Sequence, residues 1–253
     1  MQPNGRKIGE VAGLWRYPVR SLRGEALQRL PIGLDGVVGD RAYGIADPEI
    51  GELVSSSQGK RRWRGLVTLS ARFETEPAED APPPPAVMET ADGRTQRTDD
   101  PAIDAWLSEA VGRPAKLSTQ QAVAEGRMKQ PYGHEPVHLL TTASLAVFAA
   151  CYPSSRFAPE RFRPNVLLDT GALEGFVENG WVGRVLAIGD DLRLVVSDHC
   201  RRCVMTTLAQ GDLPQDPAVL QVVTEANKAN AGIYASVTKP GVVRPGDPVL
   251  LVD

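Results

Sequence analysis

The chain has 253 residues, 42% of them hydrophobic, and a formal net charge of −3. The length suits one large domain or two of roughly 100–150 residues, and the apolar content excludes a chain disordered throughout. The negative balance argues against a general nucleic-acid or anionic-membrane surface, and no apolar run is long enough to span a bilayer.

The first residues carry no apolar signal segment, and three cysteines are too few for a disulfide scaffold. The expected location is the cytoplasm. Arginine outnumbers lysine 22 to 6. Compositional bias explains such a count as well as function does, so position must carry any argument.

In chain order, Val11, Leu14 and Tyr17 lie in short segments broken by Pro18, Gly24, Pro31, Gly33, Gly36 and Gly39. This punctuation predicts short strands in a meander or barrel. Residues 40–45 and 65–69 are further candidate strands, and the basic stretch 59–64 reads as a turn between them. Four consecutive prolines within 81–86 predict an exposed loop, since proline donates no ladder hydrogen bond. Asp99-Asp100-Pro101 opens a helix whose Ile103, Trp106, Leu107, Ala110 and Val111 share one face, and Gly112 stops it. The polar region 117–130 is the best domain boundary, giving domains 1–120 and 121–253.

Beyond it, 137–140 reads as a strand and Thr142 as the cap of a helix over 143–150, with Cys151 in its core face. Residues 165–169 form another strand. Segments 185–188 and 192–196 predict a hairpin turning at Gly189-Asp190-Asp191. Asp216-Pro217 caps a helix through Val219, Val222, Val223 and Ala226, and 248–252 is a terminal strand. No glycine spacing of a nucleotide-binding loop occurs.

The sharpest local feature is Cys200-Arg201-Arg202-Cys203. A structural zinc site needs four ligands, and the other candidates are only Cys151, His134, His138 and His199. A redox pair places its first cysteine at a helix start, which Val204-Met205-Thr206-Thr207 does not favour. Two buried inert thiols are a third reading. A fourth is one thiolate bound to a soft metal, with arginines lowering its pKa and holding a phosphate-bearing group. The pair by itself does not choose among them.

Separate motifs along the chain resemble, in order, those of the MOSC superfamily, named for the C-terminal domain of molybdenum cofactor sulfurase. They are Tyr17-Pro18-Val19-Arg20-Ser21, Gly39-Asp40-Arg41, Leu140-Thr141-Thr142-Ala143-Ser144-Leu145 and Arg161-Phe162-Arg163-Pro164-Asn165. Trp181 with Ile188-Gly189, the Cys200–Thr207 stretch, and Gly241, Arg244-Pro245-Gly246-Asp247 and Val249 complete the series.

The resemblance implies a β-rich α+β fold, with an N-terminal β-barrel-like domain packed on a MOSC β-barrel carrying peripheral helices. It implies a site between the two halves. By similarity to the amidoxime-reducing branch, Cys203 would ligate molybdenum. Arg20, Ser21, Arg41, Thr142, Ser144, Arg163, Asn165, Arg202 and Tyr234 would hold the pyranopterin and its phosphate. Arg20 stands where the family has lysine. The implied activity is reduction of small N-hydroxylated compounds, with electrons from a separate ferredoxin- or flavoprotein-like donor. A non-catalytic cofactor carrier or sulfur-delivery module is the alternative. Zinc, pyridoxal phosphate and an iron–sulfur cluster are not expected, nor is a nucleic-acid or membrane partner. Cys200 and Tyr234 keep their core readings beside the functional ones.

Overall fold

Alternating apolar residues in the second half of the chain do what a two-residue period dictates: they line one face of a sheet that curls on itself. The computed structural model describes residues 5–57, 62–126, 128 and 137–252. Gly59, Lys60 and Arg61 of the basic stretch, His134, and part of the expected boundary region lie outside the described residues.

Seven strands close a barrel. Their order is Val166–Asp169, Val137–Thr141, Asn230–Lys239, Leu192–Arg201, Val185–Ile188, Pro248–Val252 and Gly5–Arg16, which pairs back onto Val166–Asp169. All these pairings are antiparallel except that between Val137–Thr141 and Val166–Asp169. A parallel pair needs a crossover, here supplied by the helices Thr142–Cys151 and Pro159–Phe162. Leu14, Val166, Leu194, Val196, Ile233 and Val249 fill the interior. Each such side chain contributes about 1.5–3 kcal/mol on full burial. The strand Gly5–Arg16 comes before residue 120, yet it completes a barrel whose other strands come after it.

Gly232 marks a close approach inside the barrel. Its φ is +83°, and a Cβ there would sit 2.2 Å from the Leu139 carbonyl oxygen. Only glycine lets the Asn230–Lys239 strand lie this near to its neighbour.

Leu30–Gly33 pairs with Gly241–Val243 and adds Leu30 and Ile32 to the barrel core, while most other N-terminal residues surround a second core containing Val19, Ile45, Trp63, Leu66, Met88 and Leu107. The helix Ile103–Val111 forms as its spacing predicts. The Asp100 carboxylate accepts from the Ala102 amide at 2.7 Å, and Gly112 ends the helix at φ 70°. Residues 65–69 are not a strand but lie mostly in a 3-10 turn, Arg64–Thr68. The turn buries Leu66 together with Trp63 and Leu69, so i, i+3 packing wins over the short apolar run.

Phe148, Phe157, Phe162, Val219 and Val223 pack the outer helices onto the barrel. The cap of Thr142–Cys151 is Thr141, whose hydroxyl accepts from the Ser144 amide at 3.1 Å, one residue before the expected Thr142. Cys151 is exposed at the helix end, not in its core face. The hairpin turns at Gly189 as expected, but its second strand runs on from residue 196 to Arg201. No helix among the described residues is long and apolar enough to cross a membrane.

Candidate functional site

One arginine-lined pocket of about 300 Å³ gathers residues from four separate motifs. Its walls carry Arg20, Ser21, Arg41, Arg163, Arg202, Cys203 and Tyr234. Local chemistry explains how they meet.

Where the Gly5–Arg16 strand ends, Tyr17 is the junction. Its amide donates to the Asp40 carboxylate at 2.7 Å, and its carbonyl accepts from the Arg41 amide at 2.7 Å. The Arg20 amide donates to the Tyr43 carbonyl at 2.8 Å, and the Tyr43 amide donates to the Pro18 carbonyl at 3.0 Å. The first two motifs are thereby zipped side by side. Arg41 pairs with Asp40. The Tyr17 hydroxyl donates to the Pro164 carbonyl at 3.0 Å, and the Arg163 guanidinium lies 4.1 Å from the Tyr17 ring centroid. So one aromatic residue ties the Arg161–Asn165 motif to the first two.

Three pocket residues hold left-handed backbone without being glycine: Ser21 at φ 68°, Arg41 at φ 53° and Arg163 at φ 55°. Such conformations cost about 1–3 kcal/mol each and persist where the surrounding structure over-determines them. Their convergence on one cavity marks it as a place where side-chain direction outranks local stability.

The cysteine motif follows from the long strand. Its pairing becomes irregular between His199 and Arg201, and the Arg202 amide donates to the Ala229 carbonyl at 2.7 Å. Cys200 is fully buried on the strand, whereas Cys203 is exposed and lines the pocket. The 3-10 turn Val204–Thr207 follows, closed by the Thr206 hydroxyl on the Cys203 carbonyl at 3.1 Å and the Thr207 hydroxyl on the Val204 carbonyl at 2.8 Å. Arg161, wholly buried, fixes the far side of this turn through the Thr206 and Leu208 carbonyls.

The electrostatics suit an anion. Among the described residues, five arginines line the pocket, Arg201 being the fifth, and no carboxylate does. Burial pulls the Arg163 guanidinium down to about 10, with Tyr17 opposing and Arg41 and Arg202 adding to the effect. Burial pushes the Tyr17 and Tyr234 phenols well above their ordinary range. Arg202 Nε is buried without a protein acceptor, a donor that a ligand oxygen would satisfy. This orphan, the cation excess and the exposed Cys203 thiol fit a phosphate-bearing group that carries a soft metal.

Three expected residues stand elsewhere. The Ser144 hydroxyl donates to the buried Glu178 carboxylate, which also accepts from Thr141 at 2.8 Å. Thr142 donates to Asp169 at 3.3 Å. Asn165 is buried, accepting from the His138 amide at 3.1 Å and donating to the Trp15 carbonyl at 3.3 Å. None of the three lines the pocket, because strand and helix-cap polar groups claim them first.

The structure adds Ser55, Ser57, Phe162 and Met205 to the walls. The serine run 55–57 was the available signal, and only folding brings it beside Ser21, whose hydroxyl accepts from the Ser56 amide at 3.4 Å. His138 also lines the pocket, with its ring nitrogens 3.1 Å from the Arg163 and Ala231 carbonyls. His199 stands beside Asp198 outside the pocket. Among the described residues no group of three or more histidine, cysteine or acidic side chains is arranged to hold a metal.

The MOSC domain profile matches residues 115–250. The human molybdenum cofactor sulfurase is 24% identical over 267 residues, covering 88% of this chain but 29% of that protein. The rat mitochondrial amidoxime reducing component 2 is 27% identical over 292 residues, covering 96% of this chain and 83% of that protein. The chain thus spans under a third of the sulfurase. The crystal structure of the YUAD protein from Bacillus subtilis shares the fold, with a TM-score of 0.52, 12% identity, and coverage of 96% of this chain and 94% of that one.

Proposed function

The chain belongs to the MOSC domain family, and on that premise we propose that it is a molybdenum-cofactor-binding oxidoreductase that reduces small N-hydroxylated compounds. The observation that carries this reading is one exposed thiol, Cys203, in a pocket whose described walls carry five arginines and no carboxylate.

In this reading the Cys203 thiolate is the protein's ligand to molybdenum. Arg20, Ser21, Arg41, Arg163 and Arg202 hold the phosphate and pterin, and Tyr234 and Phe162 supply flat wall. Arginine forks suit phosphate by paired, charge-assisted hydrogen bonds. Thr142, Ser144 and Asn165 act behind the pocket: Asn165 locks the strand edge, and Ser144 anchors the helix start through Glu178. When bound, the cofactor supplies the redox chemistry, while the chain supplies binding and orientation. Cleaving the N–O bond to N–H and water consumes two electrons and two protons. In this reading the electrons come from a separate ferredoxin- or flavoprotein-like donor protein.

The likeness to the sulfurase favours a second reading, a cofactor carrier or sulfur-delivery module. It uses the same pocket and shows no turnover of N-hydroxylated compounds with an artificial electron donor.

The test is metal analysis of protein purified from a host that makes the cofactor. Near-stoichiometric molybdenum is expected, and Cys203→Ala keeps the fold but loses the metal. A folded wild-type protein without molybdenum, or undiminished metal in Cys203→Ala, overturns the reading.

A further inference from the structure

The pocket accounts for Cys203 but leaves Cys200, the other half of the motif, without a task. Cys200 is wholly buried and does not line the pocket, so a second metal bond there has no geometric support. Its hydrogen-bond partner is Arg202. Nη1 of Arg202 donates to Cys200 Sγ, and Nη2 donates to the Phe162 carbonyl at 2.6 Å. The third nitrogen, Nε, is buried and has no protein acceptor, while Arg202 itself forms part of the pocket wall.

We propose that Cys200 is a positioning residue: its buried sulfur grips the Arg202 guanidinium at Nη1, so that Arg202 stands as a fixed cation in the wall of the pocket that takes the anion. This rests on the reading of that pocket as a phosphate site.

The argument is one of geometry and charge. A guanidinium held at two of its three nitrogens cannot swing, and a pre-oriented donor loses little entropy when a ligand arrives. A neutral thiol is a weak acceptor and would hold Arg202 loosely. Burial pushes the Cys200 thiol up, but Arg202 above all, with His138 and Tyr234 nearby, outweighs it and brings the thiol to about 6. The surroundings thus favour the thiolate form of the sulfur. A buried counter-ion also lets Arg202 sit among Arg41 and Arg163 without an uncompensated cation. The three-residue spacing follows from the strand: position 200 faces inward, the pairing slips between His199 and Arg201, and position 203 emerges at the pocket.

The test uses the metal-free protein and inorganic phosphate, measured by titration calorimetry. Cys200→Ser and Arg202→Met should each weaken phosphate binding about tenfold, and the double variant should bind no worse than either. Unchanged affinity in Cys200→Ser, or losses that multiply in the double variant, overturn the proposal. A second measurement leaves Cys200 in place. In Cys151→Ser/Cys203→Ser the only thiol is Cys200, and its ultraviolet thiolate absorbance is followed against pH. Adding Arg202→Met should move the midpoint upward by at least one pH unit, and an unmoved midpoint overturns the proposal. If the wild type takes up no phosphate, the phosphate-site reading fails on that ground, while the thiolate titration still decides what Cys200 does to Arg202.

Discussion

Replacing Arg161 by methionine should be among the costliest single changes in the protein outside its apolar core. The side chain is wholly buried and donates only to main-chain carbonyls: Arg156 and Pro214 at 2.8 Å each, Thr206 at 3.2 Å and Leu208 at 3.4 Å. Three of these carbonyls belong to residues 206–214, just beyond Cys203. Methionine fills similar length but leaves the acceptors dry. The two short bonds carry about 1.5–2 kcal/mol each as charge-assisted contacts, and the two longer ones under about 1 kcal/mol each, giving a loss of about 3–5 kcal/mol. With a urea m-value of about 2.5 kcal/mol per molar, the unfolding midpoint should fall by about 1.2–2 M. Arg161→Lys should fall between, since one ammonium cannot reach all four carbonyls. A midpoint shift below about 0.4 M for Arg161→Met would show that the buried guanidinium is not what holds the segment after Cys203, and would refute the reasoning.

Other consequences follow from buried polar groups and backbone strain. Glu178→Ala strands the Thr141 and Ser144 hydroxyls inside the protein and should cost about 2–4 kcal/mol in denaturant unfolding, with Glu178→Gln losing less than half of that. Equal losses for the two variants would deny the carboxylate its role. Gly232→Ala drives a methyl into the Leu139 carbonyl at a positive φ and should cost at least about 3 kcal/mol, whereas Gly65→Ala meets open space and should stay within about 0.5 kcal/mol of wild type. Comparable thermal midpoints for the two would contradict this packing. The Cys200 thiol is lowered in the folded chain from an ordinary 9.0 to about 6. Between those values the unfolded chain binds a proton that the folded chain lacks, so stability rises with pH and is lost as pH falls through about 6. Urea midpoints measured across that window should show one proton's worth more slope for wild type than for Cys200→Ser, and parallel curves would remove the thiolate from the account.

Elements with strong local signals are legible in the sequence. The helix Ile103–Val111, its Gly112 stop and the hairpin at Gly189 rest on periodicity and turn chemistry confined to a few residues. The differences between that reading and the structure share another cause. Residues 65–69 resemble a strand because a short apolar run cannot distinguish a strand from a tight turn, and contact with Trp63 decides it. Thr142, Ser144 and Asn165 carry the right chemistry for an anion. Competition from hydrogen-bond partners 34 and 27 residues away takes Ser144 and Asn165, respectively, into the framework.

The sequence by itself settled the membership and the cast: motifs in a fixed order and a cysteine pair flanking two arginines. Those properties are local, so a one-dimensional reading captures them. Only the tertiary structure decided that Cys203 opens to the pocket while Cys200 turns inward, that Ser55 and Ser57 join the wall, and that Gly5–Arg16 completes the barrel. Each of these depends on strand register and on charges brought together from distant parts of the chain. A slip of one residue exchanges the two faces of a strand, and no single stretch of sequence fixes that choice alone.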